Sequence, residues 1–136
     1  MLIDSHHHLW TYSAEQYGWI SDSMSVLRRD FTLDELRGVA AESGVDGFVA
    51  VQARQTVEET TDLLRDAAEE PLIRGVVGWV PLADPNVSEI LDRFTDDAAF
   101  KGVRHVVQDE PDDRFILGSD FNRGVSELAG RGLVYD

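Results

Sequence analysis

Apolar positions along this chain fall in short continuous runs, separated by longer stretches with helical spacing. The runs are Leu2–Asp4, Gly47–Gln52 (GFVAVQ), Ile73–Trp79 (IRGVVGW), Gly102–Gln108 (GVRHVVQ) and Leu133–Tyr135. Continuous apolar character, in place of strict alternation, marks parallel strands covered on both faces. The stretches between them carry readable helix starts. Thr32 with Glu35 precedes Leu33, Leu36, Val39 and Ala40; Thr56 with Glu59 precedes Leu63, Leu64, Ala67 and Ala68; Asn86 with Glu89 precedes Ile90, Leu91 and Phe94. Each cap oxygen can take an otherwise orphaned N–H of the first turn. A last helix is expected over roughly Phe121–Ala129, capped by Ser119 or Asp120, and Gly44, Gly130 and Gly132 stand where helices should stop.

The order is therefore β-α-β-α-β-α-β-α-β. After the first, the strands recur at roughly 25–35 residues, the size of one βα unit. Such alternation predicts a parallel sheet with right-handed crossovers. Two architectures accommodate it, and periodicity does not separate them. One is a small doubly wound sheet. The other is a (β/α)8 barrel, which needs about 250 residues, so that 136 residues supply its N-terminal half: about (β/α)4 plus the start of strand five. The sequence stops inside an apparent strand, Gly132–Asp136, and the expectation is a single partial barrel domain over residues 1–136. The long first connection, Thr11–Asp30, holds Tyr12, Tyr17, Trp19 and Ile20; a connection of that length is more often functional than passive.

Composition narrows the chemistry. Hydrophobic residues make up 43%, enough for a core, and 12 Lys+Arg against 26 Asp+Glu leave a net charge of −14. Such acidity disfavours nucleic acid, whose binding runs on Lys and Arg contacts to phosphate. No apolar run approaches the ~18 residues of a membrane span. With no Cys, disulfides, thiol nucleophiles and Cys-bound zinc are excluded. The absence of disulfides, and an opening that lacks the pattern of a secretory signal, suit a cytoplasmic protein.

The sharpest chemical feature is Asp4-Ser5-His6-His7-His8-Leu9-Trp10. Side chains alternate along a strand, so His6 and His8 share a face about 6.6 Å apart along the chain, within reach of one ion. Asp4 has the same parity and can orient a ligating imidazole through its second nitrogen; His7 should face the other way. A tag remnant or a frayed terminal histidine run are the plainer readings of three consecutive histidines.

The segment IDSHHHLW resembles the opening of the amidohydrolase-related (amidohydrolase-2) family of TIM-barrel, metal-dependent hydrolases. Val51-Gln52-Ala53 with Thr56–Thr60, Gly78-Trp79-Val80 and Gly102–Pro111 look like that family's second, third and fourth units. The likeness is nearest to the sugar-lactonase branch, which opens aldonolactones such as fucono- or rhamnono-lactone. It spans the whole chain and the N-terminal half of the family domain. The resemblance implies that His6 and His8 bind a divalent metal, zinc in the first instance, and that the polar residues ending strand four, Arg104 and Gln108, face a small-molecule substrate. Arg104 could instead form a structural ion pair.

Gln52 could bond a sugar hydroxyl or cap its strand, and Trp10 and Trp79 could wall the pocket or be core. His105, of opposite parity to Arg104, reads as a buried histidine, and Asp109–Asp113 as a solvated loop. The catalytic Asp of the family and its later metal histidines have no counterpart within these residues. Three other readings stand beside this one: a half-barrel inactive alone or associating as a homo-oligomer through its open edges, a decarboxylase of the same superfamily, and a doubly wound binding module. The last has no G-x-G-x-x-G or Walker loop to support it.

Overall fold

A parallel strand must be followed by a crossover that returns the chain to the sheet's starting end, and every strand here obeys that demand. The computed structural model describes residues 1–136. Its strands are β1 (Ile3–His7), β2 (Gly47–Val51), β3 (Ile73–Gly78), β4 (Phe100–Val103) and β5 (Val134–Tyr135). The helices are α1 (Leu33–Ser43), α2 (Val57–Glu69), α3 (Val87–Asp92) and α4 (Ser119–Ala129). All four strand pairings are parallel, and the sheet order is β1-β2-β3-β4-β5. A doubly wound sheet reverses its strand order at a switch point; this one never does. The strands instead curl as half of a (β/α)8 barrel. The curl carries the end of one edge strand toward the other: His6 Nδ1 lies 3.8 Å from the carboxylate of Asp136, just past β5.

Two caps form as the sequence indicates. Thr32 Oγ1 accepts the N–H of Glu35 at 3.4 Å, and Thr56 Oγ1 accepts that of Glu59 at 3.2 Å. α1 ends at Gly44, whose φ of 70° is a left-handed conformation that favours glycine. The third cap does not form. Asn86, with φ −97° and ψ 15°, lacks the extended backbone of a capping residue and makes no side-chain cap bond; its backbone N–H donates to Asp84 Oδ1 at 2.7 Å. α4 begins at Ser119, earlier than expected, and neither Ser119 nor Asp120 caps it. There the Asn122 amide reaches back to the carbonyls of Ile116 and Gly118 at 2.8 and 2.9 Å.

Two strand boundaries also differ from expectation. β1 runs on from Ile3 to His7 because its pairing with β2 continues to His7 opposite Ala50, across an irregularity after Asp4. β4 stops at Val103, well short of Gln108. Arg104 N–H still donates to Gly78 O at 2.9 Å, but Val107 N–H then turns back to His105 O, and Val107–Asp109 form a 3-10 turn. Face alternation therefore does not extend to Gln108.

The main core lies between the sheet and its helices. It includes Phe48 and Val76 from the strands and Leu36, Leu64, Leu91 and Leu128 from the helices. A second, separate cluster of Trp10, Tyr17 and Ile20 lies under the first connection, flanked by Tyr12 and Phe31. No helix is long and apolar enough to cross a membrane. α4 approaches the chain after β3 so closely that a Cβ at Gly124 would collide with the carbonyl oxygen of Leu82. Gly124→Ala is therefore expected to lower stability by about 1–3 kcal/mol, read as a lower urea midpoint at unchanged m value.

Candidate active site

The C-terminal end of β1 delivers the histidines. The rings of His6 and His8 stand 5.0 Å apart, centroid to centroid, at 85° to each other. His8 Nδ1 lies 2.9 Å from the Val51 carbonyl at the end of β2. A carbonyl only accepts, so Nδ1 carries the hydrogen and Nε2 keeps its lone pair. Burial pushes the pKa of His8 below the usual imidazole value, against an opposing pull from the Val51 bond, which keeps the ring neutral and fit to donate that lone pair. His7 does turn away: its Nδ1 bonds Val49 O at 3.0 Å and its ring lies 5.0 Å from Phe48. Asp4 does not orient an imidazole. Its carboxylate accepts the backbone N–H of His6 at 3.0 Å, and the strand-two carbonyl takes the orienting role. No group of three or more His, Asp or Glu side chains gathers to hold a metal ion. The donor set thus fits one side of a zinc site and is one short of the three protein ligands of a catalytic zinc.

Arg104 follows β4 directly and is half-buried. Its Nη1 donates to Gln52 O at 3.3 Å, while Gln52 Nε2 donates to Arg104 O at 3.3 Å. These reciprocal bonds tie the ends of β2 and β4 together across β3. No carboxylate pairs with Arg104, so the ion-pair alternative is not what the structure contains, and most of its donors remain available. Together with His8, Trp19, Ala53, Val106 and Asp109 it lines a cavity of about 260 Å3 at the strand ends.

The other expected residues lie elsewhere. Gln52 is fully buried behind the cavity wall. Gln108 is exposed on the 3-10 turn, outside the lining. Trp10 is buried, and its indole N–H donates to Arg29 O at 2.9 Å. Trp19 stands at the cavity in its place, edge to face with Trp10 at 6.1 Å. His105 is buried as expected, accepting from Trp79 Nε1 at 3.1 Å. Its Nε2–H must then donate to Glu110 Oε1, 2.6 Å away, and its ring stacks on Phe115. The loop after β4 is thus not simply solvated: Glu110 anchors it to His105 and Asp109 borders the cavity.

Comparison with known proteins agrees with this architecture. The amidohydrolase family model matches residues 3–136, and the chain belongs to that family of barrel proteins. It is 41% identical over 135 residues to an L-fucono-1,5-lactonase from Burkholderia multivorans, covering 98% of this chain and 45% of that protein. An L-fucono-1,5-lactonase from Burkholderia ambifaria is 30% identical over 134 residues, with 98% and 46% covered. The crystal structure of a Burkholderia multivorans amidohydrolase with bound zinc superposes with a TM-score of 0.94 at 39% identity, over 100% of this chain and 48% of that one. The chain spans about half the length of the curated relatives it matches.

A buried carboxylate holds the loop that brings Ala53 to the cavity. Glu59, in the first turn of α2, is 3% exposed. Its Oε2 accepts the backbone N–H groups of Ala53 and Arg54 at 3.0 and 2.7 Å, so it pins the loop after β2 and does not reach back to cap its own helix. Its Oε1 has no hydrogen-bond partner, with Arg54 Nε 3.8 Å away. Burial pushes its pKa from 4.5 up to about 7, against the pull of the two N–H groups and the Arg54 guanidinium. A carboxyl with a raised folded pKa binds more protons in the folded than in the unfolded state, so stability falls as pH rises between these values. The expected loss from this group is about 3 kcal/mol, running from pH 4.5 through 7 and levelling off above the folded pKa. Urea unfolding across that range should show the wild type losing stability relative to Glu59→Gln as pH rises, by about that amount.

Proposed function

We propose that this chain forms the first half of the active site of a metal-dependent hydrolase that opens sugar lactones. The observation that carries the reading is the His6–His8 pair at 5.0 Å, with the Nδ1 hydrogen of His8 committed to Val51 and its other nitrogen left to donate. Arg104, which lines a cavity together with His8, supplies a planar, permanently charged donor. The lactonase identity of the two Burkholderia relatives supports the substrate class, and the zinc in a related amidohydrolase structure supports the metal.

In this reading His6 and His8 hold a divalent cation, zinc in the first instance. When bound, such an ion supplies polarisation of an ester carbonyl and lowers the pKa of water. The protein's part is positional. The Val51 carbonyl fixes the tautomer and ring orientation of His8, as outer partners of ligating histidines commonly do. Arg104, held by Gln52, points its remaining N–H donors at the oxygens of a bound lactone. The chain contributes two imidazoles, and we assign the further ligands and the proton-transferring group to the rest of the complete gene product. Full turnover is accordingly a property of that product.

In the complete gene product, His6→Ala and His8→Ala are each expected to reduce bound divalent metal, measured by elemental analysis, and to cut aldonolactone hydrolysis by at least about a hundredfold. A variant lacking both His6 and His8 that retained metal and activity would overturn the assignment. Arg104→Lys keeps the charge but loses the planar fork. It is expected to lower kcat/KM by about tenfold, the loss of one charge-assisted hydrogen bond, with metal content unchanged.

A further inference from the structure

Trp19 is 44% exposed, yet it is not a loose surface side chain. Its neighbours Tyr17 and Ile20 are each 3% exposed and pack with Trp10 in the second cluster. The Arg28 guanidinium clamps the Ile20 carbonyl with Nε at 3.3 Å and Nη2 at 2.9 Å. The base of the connection is closed by two backbone bonds between Trp10 and Phe31, at 3.2 and 2.9 Å. A rigid connection therefore holds one indole outward, on the cavity that His8 and Arg104 share. Asp109 lines the same cavity and is exposed; its backbone N–H donates to Val106 O at 3.3 Å, and its carboxylate takes part in no hydrogen bond or ion pair.

These three groups ask for different things. The face of an indole is electron-rich and favours C–H edges. Ionised Asp109 only accepts and needs hydroxyl donors; Arg104 only donates and needs oxygen acceptors. A hydroxylated ring with one C–H face meets all three. An unsubstituted lactone offers Asp109 no hydroxyl to accept from, and forgoes that charge-assisted hydrogen bond. We infer that Trp19 is a stacking platform for the sugar ring and Asp109 the acceptor for its hydroxyls, so that these two residues set the preference for aldonolactones over plain lactones. The inference rests on the lactonase reading above and extends it to Trp19 and Asp109.

The test uses the complete gene product and three ligands: an aldono-1,5-lactone, δ-valerolactone, and the matching aldono-lactam, which binds without turnover. Trp19→Leu, which keeps an apolar side chain, is expected to raise KM for the aldonolactone about three- to tenfold, with kcat little changed, and to weaken lactam binding by calorimetry in parallel. Trp19→Phe should recover most of both. Asp109→Ala should lower kcat/KM for the aldonolactone at least tenfold more than for δ-valerolactone. If the wild type hydrolyses the aldonolactone and neither Trp19→Leu nor Asp109→Ala shifts these ratios, the inference fails and the lactonase reading stands. If the wild type neither hydrolyses the lactone nor binds the lactam, the lactonase reading fails and takes the inference with it.

Discussion

Parallel pairing in unbroken sequence order is the constraint from which the rest of this structure follows. Because each of the five strands runs the same way, each ends on the same rim, and each crossover must return outside the sheet through a helix. Residues far apart in sequence but alike in position, just past a strand, are thereby forced together. His8 after β1, Ala53 after β2 and Arg104 after β4 line one cavity for this reason. The backbone does much of the organising at that rim: carbonyls left over where the ladder ends orient His8 and hold Arg104. Side-chain carboxylates, the more obvious candidates in so acidic a chain, do neither.

The elements were largely legible in the sequence because their signals are local. Continuous β-branched runs located the five strands, and two of the three Thr or Asn caps formed as written. The boundaries were not local. GVRHVVQ reads as one strand to Gln108, but a strand lasts only as long as its pairing, and the register of β4 with β3 ends at Val103 opposite Gly78. Once the chain turns after Arg104, face parity stops predicting direction. Gln108 therefore leaves the site, while Asp109, which looked like part of a solvated acidic run, borders it.

The histidine pair was legible for the same local reason, since the spacing of two survives along β1. Choosing between Trp10 and Trp19 was not possible from spacing. Both are aromatic residues near the same rim, and which one is buried depends on a bond from Trp10 to a carbonyl nineteen residues away, that of Arg29. Glu59 shows the converse. Its place three residues after Thr56 marks a helix start, yet its carboxylate serves the loop before the helix. Burying that group with one oxygen unpaired costs stability, and it fixes the loop after β2 from which Ala53 reaches the cavity.

The division of the apolar interior into two clusters that do not merge has an evolutionary consequence. The sheet-and-helix core answers for folding, while the small aromatic knot around Trp10, Tyr17 and Ile20 shapes what the rim presents. Changes confined to the knot reshape the rim without opening a void in the main core. Descendants of this chain can therefore drift in what they accept at the mouth while the scaffold underneath is inherited unaltered.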